Sequence, residues 1–176
     1  FLGAIKYLEE ENLVNDIQIY GGTSIGSMMA TLLCVGYNYT TLNELFGNKF
    51  DITNLKDITS DSVLSFFNDF GIDTGNNILK VLEIFITAKT KKPNITFLEL
   101  FNLTGRVLVI NSLCVNDMEN CIFDYLNTPN LEIKQAVRMS MSVPYYFKPV
   151  KYNDKYYVDG ATIETFIINP CTYGLE

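Results

Sequence analysis

The residues best suited to chemistry in this chain are a serine and the two glycines around it, Gly22-Thr23-Ser24-Ile25-Gly26. This G-x-S-x-G pattern is typical of a serine nucleophile on a sharp turn from a strand into a helix. Glycines suit such a turn because its backbone is crowded and strained, so we expect neither Gly22 nor Gly26 to tolerate a side chain. The alternative is an ordinary glycine turn in which Ser24 only caps the helix. The pattern and its context make Ser24 the candidate nucleophile.

A serine nucleophile needs a base, and the chain contains no histidine. This excludes a Ser-His-Asp triad, a Cys-His pair and a His-ligated zinc site. An aspartate within hydrogen-bond reach can remove the serine proton instead. Asp159 follows the β-prone residues 156–158 and precedes Gly160, so we expect it at the sheet edge where active sites of open α/β sheets lie. The alternative is a turn aspartate that caps Thr162.

Composition limits the classes of protein that the chain can represent. With 176 residues, 48% of them hydrophobic and 19% charged, it is long and apolar enough for one domain with a substantial core, and intrinsic disorder is excluded. A net charge of −7 argues against nucleic-acid binding through a broad basic face. The cysteines form no C-x-x-C pair, so we expect reduced, buried thiols, with a Cys114–Cys121 disulfide as the alternative.

The elements that must position Ser24 and Asp159 alternate between strand and helix. A short β-prone segment at 17–20 leads into the glycine turn, and an apolar helix over 24–33 follows it. Residues 107–110 predict a buried strand with 121–125 as its partner, and 152–157 predict a hairpin around Asn153-Asp154. This alternation favours an α/β domain with a mostly parallel sheet.

Helices are predicted by apolar periodicity and by capping patterns. The clearest covers about 75–88, and Thr96-Phe97-Leu98-Glu99 is a capping box that opens another helix, which ends near Gly105. A further helix is predicted over 131–141, and the Ser140 and Ser142 pair at its end is expected to make local backbone hydrogen bonds. Shorter helices are predicted over 41–46 and 61–67, and a single turn over 54–57.

These motifs together resemble the patatin-like phospholipase family, and the resemblance covers nearly the whole chain. Residues 22–26 look like the family's nucleophile elbow, and Tyr157-Val158-Asp159-Gly160-Ala161 is similar to its Asp-Gly-Gly/Ala motif. Two further blocks match in the same order, 96–106 at a helix-to-strand entry and 136–149 before the second catalytic motif. Asn169-Pro170 follows that motif, as it does in the family.

The resemblance implies a three-layer α/β/α patatin-like sandwich with a mostly parallel central sheet, formed by one domain over residues 1–176. It also implies a Ser-Asp dyad, with Ser24 as the nucleophile, Asp159 as the general base and Gly160 as part of the second motif. The family's glycine-rich oxyanion loop would lie before Phe1. The expectation is therefore a domain truncated at both ends, in which the backbone N–H of Ile25 remains as an oxyanion donor.

The activity that the resemblance implies is that of a lipid acyl hydrolase, a serine ester hydrolase of EC 3.1.1 type that forms an acyl-enzyme. The expected substrate is a membrane phospholipid or lysophospholipid, met by a cytoplasmic protein that is peripheral at membranes. No cofactor, metal or nucleic acid is expected, and the sequence does not indicate an oligomeric state. The alternatives are an acyltransferase or broad esterase with the same dyad, and a non-catalytic lipid-binding domain.

Overall fold

The elements below come from a computed structural model that describes residues 1–49, 56–58 and 66–171. Its helices are α1 Leu2–Glu10, α2 Ile25–Cys34, α3 Tyr39–Asn43, α4 Phe66–Asp69, α5 Asn76–Thr90, α6 Phe97–Thr104, α7 Ile133–Ser140 and α8 Ile168–Cys171. Its strands are β1 Ile19–Gly22, β2 Gly71–Asp73, β3 Val107–Cys114, β4 Glu119–Phe123, β5 Tyr145–Phe147, β6 Val150–Tyr152 and β7 Lys155–Asp159. Short turns of 3-10 helix cover Leu13–Asp16 and Gly160–Thr162, and a π-helical turn covers Glu44–Lys49.

The main sheet is built around β3, which is the longest described strand. β1 pairs with the first half of β3 in parallel, whereas β4 and β7 pair with its second half in antiparallel fashion, and β6 pairs with β7. A separate parallel pair joins β2 and β5. The β3–β4 and β6–β7 connections are short turns, and short turns join neighbouring strands in antiparallel orientation. The fold is α/β as predicted, and the described sheet is mixed, with its parallel pair at β1 and β3.

Helices cover both faces of β1. A Cβ atom on Gly21 would lie 2.4 Å from Cys171 Sγ in α8, whereas one on Gly22 would lie 2.2 Å from the carbonyl oxygen of Gly26 in α2. Because successive strand residues point to opposite faces, α2 and α8 lie on opposite sides of the sheet. The layers therefore run helix, sheet, helix, as the predicted three-layer sandwich requires.

The core lies between the sheet and the helices α2, α5 and α7. All four of these elements contribute deeply buried apolar side chains to it: Met28, Leu32, Leu82, Ile86, Ile110, Ile133 and Met139. Helix α7 contacts α2, β3 and β7, so the same helix touches both elements that carry the candidate catalytic residues.

Most of the predicted elements are confirmed. The partner strand predicted at 121–125 is β4, the hairpin at Asn153-Asp154 joins β6 to β7, and the helix predicted over 75–88 is α5. The capping box is present, with Thr96 accepting from the Glu99 N–H and Glu99 accepting from the Thr96 N–H. The prediction at 61–67 coincides with the described residues only at the start of α4. Residues 54 and 55 of the turn predicted at 54–57 also lie outside the described ranges, and residues 56 and 57 are not helical.

Candidate active site

Ser24 occupies a strained turn between β1 and α2. Its φ of 54° and ψ of −129° lie in a region that non-glycine residues rarely adopt, at a typical cost of about 1–3 kcal/mol. Three hydrogen bonds hold the turn: the Ser24 N–H donates to Ser140 Oγ at 2.9 Å, and the Ser24 carbonyl accepts from the N–H of Ser27 at 2.9 Å and from its hydroxyl at 2.6 Å. The predicted strand-to-helix turn at Ser24 is confirmed.

The register along β3 brings the ends of β1 and β7 together. β4 pairs with β3 from Ile110 to Cys114, so it occupies one edge of that strand. β1, which ends opposite Ile110, and β7, which ends opposite Ser112, must both lie on the other edge. Because β1 runs parallel to β3 and β7 runs antiparallel to it, their carboxyl ends point towards each other there. Residues that follow β1 therefore meet the last residue of β7.

Ser24 and Asp159 are in direct contact at this junction. Ser24 Oγ donates to Asp159 Oδ2 over 2.5 Å, and Asp159 is only 3% exposed. The other carboxylate oxygen, Oδ1, accepts from the Ala161 N–H at 2.8 Å, and the Asp159 N–H donates to the Ser142 carbonyl at 2.9 Å. Asp159 therefore does cap the turn that follows it, but through the N–H of Ala161 and not of Thr162. The second carboxylate oxygen, Oδ2, is left to accept the hydrogen bond from Ser24. The predicted proximity of the two side chains is confirmed, and a carboxylate so placed can accept the serine proton.

The three motif glycines differ in how much space surrounds them. A Cβ on Gly22 would lie 2.2 Å from the Gly26 carbonyl oxygen, and one on Gly160 would lie 2.6 Å from Asn111 Oδ1. A Cβ on Gly26 would meet only the Phe1 ring, at 3.8 Å, which is ordinary van der Waals contact. The expectation that Gly26 excludes a side chain is therefore wrong for the described residues, because Gly26 lies in the first turn of α2 and a Cβ there would have only the Phe1 ring within 4 Å.

The backbone N–H of Ile25 is available next to the serine. Ile25 is the first residue of α2, and the first N–H groups of a helix have no intrahelical acceptor. Within the described residues this N–H makes no hydrogen bond. The helix N-terminus also carries partial positive charge, which favours an anion at this position.

Helix α7 and the residues after it supply contacts that the sequence did not reveal. The expectation of a local backbone hydrogen bond is wrong at Ser140, because its hydroxyl accepts from the Ser24 N–H, 116 positions away in the chain. Ser142 bonds locally to the Arg138 carbonyl at 2.7 Å, but its own carbonyl also accepts from Asp159. The sequence shows a serine at the end of a helix that proves to be mostly buried. It does not show which group the hydroxyl of that serine contacts.

Arg138 anchors the segment that follows α7. Its guanidinium, 3% exposed, donates to Ser142 Oγ at 2.5 Å, to the Thr74 carbonyl at 2.8 Å and to the Lys148 carbonyl at 3.0 Å. Burial lowers the pKa of Arg138 to about 10, against the opposing effect of the Asp73 charge. The group therefore stays charged at neutral pH, and its charge strengthens these hydrogen bonds.

The described part of the chain contains neither a candidate metal site nor a helix that could span a membrane. It brings no three His, Cys, Asp or Glu side chains together in a way that could hold a metal ion. Among its helices none is both long and apolar enough to cross a bilayer. The four cysteines are free thiols.

Comparisons with known proteins agree on the family and the fold. A family model described as patatin-like phospholipase matches residues 1–172. The probable lipid hydrolase 463L of Invertebrate iridescent virus 6 is 34% identical over 170 residues, which cover 96% of this chain and 57% of the viral protein. The chain therefore spans little more than half the length of that relative.

Two solved structures share the fold at low sequence identity. VipD from Legionella pneumophila has a TM-score of 0.68 and 17% identity, over 94% of this chain and 44% of that one. Full-length ExoU, from the type III secretion system of Pseudomonas aeruginosa and solved with SpcU, has a TM-score of 0.61 and 20% identity, over 81% of this chain and 35% of that one.

Proposed function

The chain belongs to the patatin-like phospholipase family, and we propose that it is a lipid acyl hydrolase that cleaves phospholipid or lysophospholipid acyl esters through a Ser24–Asp159 dyad. The observation that carries the proposal is the 2.5 Å hydrogen bond from Ser24 Oγ to Asp159 Oδ2 at a strained strand-to-helix turn. A serine that only capped a helix would need neither the strain nor the carboxylate.

In the proposed acylation step, Ser24 Oγ attacks the acyl carbon of the ester while Asp159 Oδ2 accepts the hydroxyl proton. The carbonyl oxygen becomes an oxyanion, and in this proposal the N–H of Ile25, at the positive end of α2, donates a hydrogen bond that stabilises it. Collapse of this intermediate breaks the ester C–O bond, and the leaving alcohol takes the proton from Asp159. The acyl group remains esterified to Ser24.

Deacylation reverses these roles with water. Asp159 accepts a proton from a water molecule as the water oxygen attacks the acyl carbon, and the Ser24 oxygen then leaves and recovers the proton. The products are a fatty acid and the free enzyme. No cofactor takes part in either step.

Exposed apolar residues close to the dyad support contact with a lipid surface. Ile25 follows Ser24, Val143 follows Ser142, and Ile163 lies four residues after Asp159; they are 48%, 44% and 45% exposed, respectively. We call these three residues the apolar rim. Because the chain carries a net charge of −7, attachment to a membrane would depend on apolar burial more than on attraction to anionic lipids. We therefore propose a cytoplasmic protein that binds membranes peripherally.

The experiment is to measure fatty-acid release and fluorophosphonate labelling with the intact protein and three variants. Ser24→Ala should abolish labelling and lower hydrolysis by about 10³-fold or more, and Asp159→Asn should lower both by a similar factor. Asp124→Asn is the matched control, because Asp124 is also a buried aspartate that accepts backbone N–H bonds in a turn but has no contact with Ser24.

The control variant should keep its activity. Hydrolysis that persists in Ser24→Ala would contradict the proposal. Adding alcohol acceptors separates hydrolysis from acyl transfer, because a transferase would yield the new ester in place of the fatty acid.

A further inference from the structure

We infer that Ser140 is a positioning residue for the proposed hydrolysis: its hydroxyl holds the backbone of Ser24 in the conformation that presents Oγ to Asp159. The inference rests on the proposed function, since it concerns the geometry of the same dyad. It adds a residue outside both catalytic motifs.

The first observation is the contact itself. Ser140 is completely buried, and its Oγ accepts the Ser24 N–H at 2.9 Å. A serine within a helix commonly bonds back to the carbonyl four residues earlier, as the hydroxyl of Thr31 does in α2. Ser140 instead reaches another element, which makes the bond a tertiary one.

The second observation is the strain at Ser24. A non-glycine residue at φ 54° and ψ −129° is strained. It keeps this conformation only when contacts with the surrounding structure stabilise it by more than the strain costs. The carbonyl side of Ser24 is held locally by Ser27, whose N–H and hydroxyl both donate to it. The N–H side is held by Ser140 across the fold. Removing that acceptor leaves the N–H without a partner and lets the peptide rotate towards a relaxed conformation.

The third observation is that α7 and the residues directly after it form hydrogen bonds with both Ser24 and Asp159. Ser140 binds the Ser24 N–H, and Ser142, two residues later, binds the Asp159 N–H through its carbonyl. Arg138 fixes Ser142 from the other side. The two catalytic residues thus share one support, and loss of Ser140 moves Ser24 relative to an Asp159 that stays in place. A displacement of about 1 Å at a reacting atom can cost about 100-fold in rate.

The test compares Ser140→Ala with Thr31→Val in the intact protein. Both substitutions remove one buried hydroxyl and its hydrogen bond, and Thr31 lies in α2, donates to Ser27 and does not contact Ser24. The measurements are kcat and KM for a soluble ester, the rate of fluorophosphonate labelling and the thermal unfolding midpoint. We expect kcat and the labelling rate of Ser140→Ala to fall by about 10- to 100-fold, with KM within twofold of the parent and unfolding shifted no more than in Thr31→Val.

Equal kcat values in the two variants, or a loss confined to KM, would overturn the inference. If Ser140→Ala does not fold, Ser140→Cys is measured in its place, because sulfur fills a similar space but is a weak acceptor; an unchanged kcat in Ser140→Cys would also overturn it. Ser24→Ala separates this result from the larger proposal. If Ser24→Ala stays active, the dyad itself fails, whereas an inactive Ser24→Ala beside a fully active Ser140→Ala removes only the positioning role.

Discussion

Gly22 and Gly26 flank the same serine, yet only Gly22 lies where a side chain has no room. Its position is set by the return of α2 over the end of β1, which places the Gly26 carbonyl directly above the Gly22 Cα. The G-x-S-x-G pattern therefore combines one glycine required by close packing with one that the described residues do not require. The difference between Gly22 and Gly26 can be tested by substituting each glycine separately.

Gly22→Ala should destabilise the protein strongly, whereas Gly26→Ala should not. At Gly22 the new Cβ would lie 2.2 Å from a backbone oxygen that cannot move without breaking the turn, so we expect a loss of more than about 3 kcal/mol or failure to fold. At Gly26 the change should be neutral or stabilising by up to about 1 kcal/mol, because alanine is the better helix former. Urea unfolding of the two variants measures both values, and equal destabilisation would contradict the assignment.

At the level of elements, α6 shows how a local sequence signal specifies a helix start. The Thr96–Glu99 capping box satisfies two backbone N–H groups that the helix would otherwise leave unpaired. Hydrogen bonds from the Lys92 side chain and the Thr96 backbone lower the pKa of Glu99, so this carboxylate is ionised at neutral pH. The helix then delivers the chain through Gly105, in the left-handed conformation, to the start of β3.

Thr96→Val should lower the free energy of unfolding by about 1 kcal/mol, the usual effect of losing a threonine cap. Thr87→Val is the matched control, because the buried Thr87 hydroxyl has no hydrogen-bond partner among the described residues. That variant should be neutral or slightly stabilising, since it removes an unsatisfied polar group. Denaturant unfolding compares the two, and a Thr96→Val protein as stable as the parent would show that the cap contributes nothing.

For the whole molecule, the junction where β1 and β7 meet beside β3 determines how a lipid could reach the proposed dyad. The three residues of the apolar rim follow closely after Ser24, Ser142 and Asp159 in the chain, whereas α6 leads into the start of β3. A lipid surface that contacted the rim would meet the Ser24 side of the molecule directly. Orientation at the membrane would then follow from where the exposed apolar residues lie.

The double variant Val143→Ser, Ile163→Ser should hydrolyse lipid vesicles about 10- to 100-fold more slowly than the parent, because partial burial of two aliphatic side chains contributes about 1.5–3 kcal/mol. Its kcat/KM for a soluble short-chain ester should stay within about threefold, since neither side chain bonds to the dyad. Leu103→Ser is the control, as Leu103 is 58% exposed on α6, and it should leave both rates unchanged. Equal losses on the two substrates would argue against a role in membrane contact.

The sequence by itself determined the features that depend on neighbours along the chain. The glycine turn at Ser24, the capping box at Thr96 and the hairpin at Asn153-Asp154 are each marked by residues within about four positions of one another, so local patterns predict them. The absence of histidine likewise favours a carboxylate as the base for the serine. The family resemblance and the α/β class followed from the order of these local signals.

Only the tertiary structure decided which distant groups meet. The contact between Ser24 and Asp159 depends on the register that sets β1 and β7 end to end along β3, and strand register is fixed by packing across the whole sheet. The same holds for the hydroxyl of Ser140, whose partner lies 116 positions away. The space around Gly26 is a further example, because it depends on how α2 packs against its neighbours. A sequence pattern gives the residue types but not this packing.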